Sequence, residues 1–168
     1  MAARDTVADA PGKDLVIERV FDAPRERVFD AFTKPEHLQK WWGPKTAVIA
    51  VAEYDARPGG KVFLGERYPD GAMVHLAGVV REIERPLRLV FAIHFANEKR
   101  ERVSPPAHSG LGAAWDGEIV TAVTFSAEGR RTRVTIRTER SGVTAEWSEK
   151  ARYGWGEALD KLEHVIAG

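Results

Sequence analysis

The C-terminal segment constrains the fold most. From roughly 144 to 167, Trp147, Ala151, Trp155, Ala158, Leu162 and Val165 recur at three- and four-residue spacing. That spacing puts one apolar stripe on an α-helix. At about 1.5 Å per residue the helix spans roughly 36 Å, so it needs a broad apolar surface to lie across. Gly154 and Gly156 fall inside it, where each costs up to about 1 kcal/mol relative to alanine. Two reasons would justify that cost: close approach of another backbone, or space left for something else.

The preceding residues supply the surface. "DLVIERVF" (14–21) reads as a strand, and Ala23-Pro24 opens a helix with proline at its first position, where the missing N–H costs nothing. Val28, Ala31 and Phe32 form its buried stripe. Lys34-Pro35 starts a second short helix through Leu38 and Trp41, stopped by Gly43-Pro44. Six further strands are predicted over 46–56, 61–68, 73–83, 87–95, 118–125 and 131–138, mostly joined by short turns rich in Gly, Pro and Asp. Hairpin connections make the sheet antiparallel.

Turn positions give a trial register. Ile83 opposite Arg88 places Val80 against Phe91, Gly78 against Ile93 and Leu76 against Phe95, all on one face. Phe125 opposite Thr132 pairs Val123 with Val134 and Thr121 with Ile136. Arg131, Arg133 and Arg137 then point outward as a solvated stripe.

The totals set limits on partners. Twenty-five basic residues balance 25 acidic ones in a chain of 168, which argues against nucleic acid or an anionic membrane as partner. With no cysteine, disulfides, thiol catalysis and thiolate metal sites are excluded. "MAARDTVADAPGKD" has no apolar core of a secretory signal, and no apolar run is long enough to span a membrane. The expectation is a cytoplasmic protein with a loose tail over 1–13 and a single domain over 14–168.

An α+β architecture follows, of the helix-grip kind: a curved seven-stranded antiparallel sheet gripping the C-terminal helix, with two short helices after the first strand. Four stretches, "FDAPRERVFDAFTKPEHLQKWWGP", "DARPGGKV", "REIERPLRLVF" and "GWGEALDKLEHVI", resemble the activator of heat shock protein ATPase homologue family. That family lies within the START-like (SRPBCC) superfamily. The resemblance covers about 14–96 and 118–167 and implies a cavity between sheet and helix. The segment 97–117, "NEKRERVSPPAHSGLGAAWDG", departs from the family pattern and is longer than a simple hairpin connection; loops of this length often act as lids. The full co-chaperone of the family's name has a further N-terminal domain that this sequence lacks, which favours other roles.

The leading functional reading is a small-molecule binding module taking an apolar or aromatic ligand, with Trp42, Phe63, Leu76, Phe91, Ile93, Trp115, Trp155 and Leu162 as candidate lining residues. Of the adjacent pair Trp41-Trp42, one is expected to pack under the second helix and the other to line the cavity mouth, unless both simply pack around the bend. Trp115 is expected to fold back over that mouth near Trp42, or else to pack on a neighbouring strand or a dimer partner. A second reading is an enzyme of the polyketide cyclase or dehydratase kind. Glu82 or a tyrosine is its candidate acid–base group, Glu82 being placed on the apolar face by alternation after Val80; otherwise Glu82 sits at the sheet end, against an arginine or in water. A polar pair facing each other inside the cavity would favour this enzyme. A third reading is a co-chaperone-type or dimeric interaction protein, for which an exposed apolar patch would speak. Tyr54, Tyr68 and Tyr153 are possible sources of ligand hydroxyl contacts. Asp55 and Arg57 read as a turn-stabilising ion pair. His75 and His94 fall on the outward face, and no histidine pair has ligand spacing, so neither metal nor cofactor is expected.

Overall fold

The computed structural model describes residues 6–8, 14–139 and 143–167. The strands are β1 (Thr6–Ala8), β2 (Leu15–Phe21), β3 (Val48–Tyr54), β4 (Lys61–Arg67), β5 (Met73–Glu84), β6 (Arg88–Ala96), β7 (Ile119–Glu128) and β8 (Arg131–Thr138). The helices are α1 (Arg25–Thr33), α2 (Pro35–Trp41) and α3 (Ala145–Ala167). All strands join one antiparallel sheet in the order β1-β2-β8-β7-β6-β5-β4-β3. The seven expected strands are present. A three-residue strand, β1, adds an eighth at the edge, within the stretch expected as a tail. The rest of 1–13 lies outside the described residues.

The sheet is curled, and Gly78 shows why it can bend between β5 and β6. A Cβ built there would stand 1.8 Å from the Ala92 carbonyl oxygen, so any side chain would force the strands apart. The pairing matches the trial register for Leu76–Phe95, Gly78–Ile93 and Val80–Phe91. It then shifts by one, because a bulge at Arg81 moves Ile83 opposite Leu89. The β7–β8 hairpin turns through the two residues Gly129 and Arg130, tighter than the four-residue turn expected. Its pairing therefore lies two residues away from the trial register, with Phe125 opposite Val134 and Val123 opposite Ile136. A slip of two preserves faces, so Val123, Phe125, Val134 and Ile136 are all buried, while the arginines point outward.

α1 buries Val28, Ala31 and Phe32 as its spacing predicts. Phe29 and Phe32 meet Phe125 at ring distances of 5.1 and 5.4 Å. α3 crosses the concave face. Its C-terminal half closes on the core through Ala158, Leu159, Leu162 and Ile166. Arg19, buried on the inward stripe of β2, clamps that half by donating to Asp160 at 2.9 Å and Glu163 at 3.4 Å. Burial alone would raise the Asp160 carboxyl. Hydrogen bonds from Lys45 and Arg19, and their charges, outweigh it and hold the group below its ordinary range. At its other end α3 is capped by Thr144, whose Oγ1 accepts the Trp147 N–H at 3.1 Å.

Candidate functional site

Between the N-terminal half of α3 and the sheet lies a cavity of about 450 Å³. The sheet contributes Glu66 of β4, Val74 and Leu76 of β5, Phe91, Ile93 and Phe95 of β6, and Ile119 and Thr121 of β7. The helix contributes Trp147, Ala151, Gly154, Trp155, Glu157 and Ala158. Gly154 faces open space, since a Cβ there would meet nothing within 4 Å. Of the two reasons considered for this glycine, space is the one that applies.

The adjacent tryptophans separate as alternation around a helix end requires. Trp41, the last residue of α2, is fully buried and donates its Nε1–H to the Ala31 carbonyl at 2.7 Å. Trp42, already extended, turns into the cavity between Phe91 and Trp155, with ring distances of 6.2 and 5.5 Å.

A buried carboxyl marks this wall. Glu66 is 7% exposed. Its Oε2 accepts the Trp42 Nε1–H at 3.1 Å and its Oε1 accepts the Tyr68 hydroxyl at 2.9 Å. Burial pushes the Glu66 carboxyl above the ordinary range, against the lowering effect of Tyr68, Trp42 and the nearby positive charge of Lys161. Burial also raises the Tyr68 hydroxyl, and the adjacent carboxylate raises it further. The Lys161 ammonium donates to the carbonyls of Trp42 and Pro44 at 3.1 and 3.2 Å. Burial lowers its proton affinity, and the Glu66 and Glu157 charges only partly restore it.

The long connection between β6 and β7 roofs one side through Pro106, His108 and Ser109. It is fastened to the start of α3. Thr144 donates to the Gly110 carbonyl at 2.7 Å, Lys150 donates to the His108 carbonyl, and Leu111 is buried at 4% exposure. The charged first part of the connection forms a tight turn capped by Asn97, whose Oδ1 accepts the Lys99 and Glu101 N–H groups at 2.9 and 3.0 Å.

Of the expected lining residues, Trp42, Leu76, Phe91, Ile93 and Trp155 come together at the cavity. The other three do not. Phe63 is on the opposite face of β4, because its neighbours Val62 and Leu64 take the inward positions. It stacks on His75 at 5.4 Å under the Arg100 guanidinium at 4.2 Å. Leu162 is fully buried in the solid core, one turn beyond the hollow. Trp115 packs edge-on against Phe95 at 6.3 Å. It stands just before β7 and packs on the adjacent strand β6, the second of its expected places.

Glu82 takes the second of its two expected places, at the sheet end against an arginine. The bulge at Arg81 turns it outward, where its side chain is 61% exposed and meets Arg88 at 3.4 Å. The inward carboxyl is Glu66, which the sequence reading missed although alternation through Val62, Leu64, Glu66 and Tyr68 carries the signal. Tyr68 lies at the cavity, Tyr153 is 72% exposed at its rim, and Tyr54 is buried against Phe91. Asp55 and Arg57 pair at 2.7 Å as expected. Among the described residues no group of three metal-ligating side chains converges, and no helix is long and apolar enough to cross a membrane.

A sequence model of the family described as "Activator of Hsp90 ATPase homolog 1-like protein" matches residues 22–167. No curated protein matches the sequence. Among solved structures, a solution structure from Arthrobacter aurescens is similar at 25% identity and a TM-score of 0.80, covering 96% of this chain and 91% of that one. A Mycobacterium smegmatis crystal structure matches at 23% identity and a TM-score of 0.77, covering 96% of both chains. The AHSA1 protein from Silicibacter pomeroyi matches at 21% identity and a TM-score of 0.75, covering 92% of this chain and 97% of its own.

Proposed function

Because the chain belongs to the activator of Hsp90 ATPase homolog 1-like family, whose fold generally serves ligand binding, we propose that this protein is a cytoplasmic binding module for a small apolar or aromatic molecule. The observation that carries the reading is the cavity of about 450 Å³ under the N-terminal half of α3, walled by Trp42, Leu76, Phe91, Ile93 and Trp155. Its size and apolar walls suit a compact organic ligand. The balanced charge of the chain, 25 basic against 25 acidic residues, supports a neutral small molecule over a polyanion. The test uses N-phenyl-1-naphthylamine, a neutral fluorescent probe. Uptake by the folded protein and its loss in Ala151→Phe, which fills the space between helix and sheet, are the expected results. An absence of uptake by the unaltered protein overturns the reading.

A second reading is favoured by one observation. The Glu66–Tyr68 pair, hydrogen-bonded at 2.9 Å on the cavity wall, is a polar arrangement of the kind a proton-transfer enzyme needs. Turnover of an enolisable aromatic ketone, lost in Tyr68→Phe and Glu66→Gln, would establish it. A homodimer is the third reading, and sedimentation at micromolar concentration decides it.

A further inference from the structure

Burying a carboxyl is expensive, and an apolar residue at position 66 would cost less. What Glu66 offers in return is acceptor capacity. A carboxylate has about four lone-pair directions. Within the described residues, one direction on each oxygen is taken, by Tyr68 at 2.9 Å and Trp42 at 3.1 Å. Both donors sit on the cavity wall beside it. They leave each oxygen with acceptor capacity that the described residues do not use, on a residue that lines the hollow.

Charge then narrows the ligand. The Lys161 ammonium, anchored on the Trp42 and Pro44 carbonyls, acts on Glu66 as a positive neighbour. Part of the counter-charge is therefore already supplied by the protein. A cationic amine would have to shed its water to meet a carboxyl whose charge Lys161 already partly offsets. An anionic ligand would be repelled by Glu66 itself. A neutral donor meets neither cost.

From this we infer that Glu66 is the hydrogen-bond anchor of the cavity, and that the ligand is a neutral, apolar, ring-bearing molecule whose hydroxyl group donates to it. This rests on the binding reading above. Trp42 both orients the carboxyl through Nε1–H and offers its ring face to the ligand body, with Phe91 and Trp155 on either side of it.

Four probes of one shape test the assignment: naphthalene, 2-naphthol, 2-methoxynaphthalene and the cationic 2-naphthylmethylammonium, titrated calorimetrically at neutral pH. A hydrogen bond donated to the Glu66 carboxyl should make 2-naphthol bind roughly tenfold or more tighter than its methyl ether. In Glu66→Met, which keeps length and removes the acceptors, that ratio should fall to about one. If Glu66→Met does not fold, the ratio in the unaltered protein still decides. Equal binding of 2-naphthol and its methyl ether there overturns the anchor while leaving the binding module intact. Tighter binding of the cation than of 2-naphthol overturns the charge assignment. If none of the four binds, the binding module itself fails and the anchor with it.

Discussion

The two halves of α3 carry the same apolar spacing but meet different surroundings. Toward the C-terminus, Ala158, Leu159, Leu162 and Ile166 are almost completely buried against the sheet and α1. Toward the N-terminus, Trp147, Ala151, Gly154 and Trp155 keep partial exposure because they face a hollow. The solid half holds the helix down, helped by Arg19, and the hollow half is thereby free to be imperfectly packed. Tryptophan in this helix reports an inner wall, whereas leucine reports a core.

Substitutions in the two halves should separate stability from binding. Leu162→Ala removes fully buried methyl groups and should cost about 2–5 kcal/mol in urea denaturation, with naphthylamine affinity kept by the molecules that remain folded. Trp155→Ala should cost less, on the order of 1–2 kcal/mol, and should weaken probe binding strongly. Trp155 is thus a wall residue sharing its burden with Trp42, whereas its place in the helical stripe suggests a core residue. Equal stability losses for Leu162 and Trp155 would erase the distinction between the halves.

The next effect is electrostatic. Burial raises the Glu66 carboxyl above its unfolded value. Between the two values the folded state binds more protons than the unfolded chain, so this group's contribution makes stability fall as pH rises through that window. Glutamine cannot ionise. The thermal midpoint of Glu66→Gln, relative to the unaltered protein, should therefore become more favourable from pH 4 to pH 7. The opposite trend would mean that Trp42, Tyr68 and Lys161 outweigh the burial cost, and that the hollow end is better solvated than its exposure indicates.

The smallest change is Gly154→Ala. The new methyl meets nothing within 4 Å, and alanine is the better helix former, so stability should rise by about 0.5–1 kcal/mol. A loss measured by thermal unfolding would place hidden packing at Gly154 and make the N-terminal half less hollow than it is drawn.

Alternation and helical spacing were enough to read the antiparallel sheet, the covering helix and the inward set Leu76, Val80, Phe91 and Ile93. These patterns are local, with periods of about 2 and 3.6 residues that the backbone imposes wherever the strand or helix forms. A two-residue slip in β7–β8 did no harm for the same reason, since it preserves the period. A one-residue bulge at Arg81 exchanged faces, and with it the roles of Glu82 and Ile83. No residue type in that stretch announces the bulge. Phe63 misled because β4 is buried on both sides, one by the cavity wall and one by His75 and Arg100. Hydrophobicity alone does not say which side of a doubly covered strand is which.

The chain's own pattern thus dictated that a long helix must lie on a curled sheet, and which residues of each face the other. It did not dictate where the two separate. That depends on the Arg19 clamp, the Gly78 bend, the seat of Trp42 and the fastening of the 97–117 connection to Thr144 and Lys150. Each joins residues far apart in sequence. Glu66 became a site only when Trp42, Tyr68 and Lys161 closed around it. A carboxyl's chemistry is set by what surrounds it in space, and those neighbours come from three different segments of the chain.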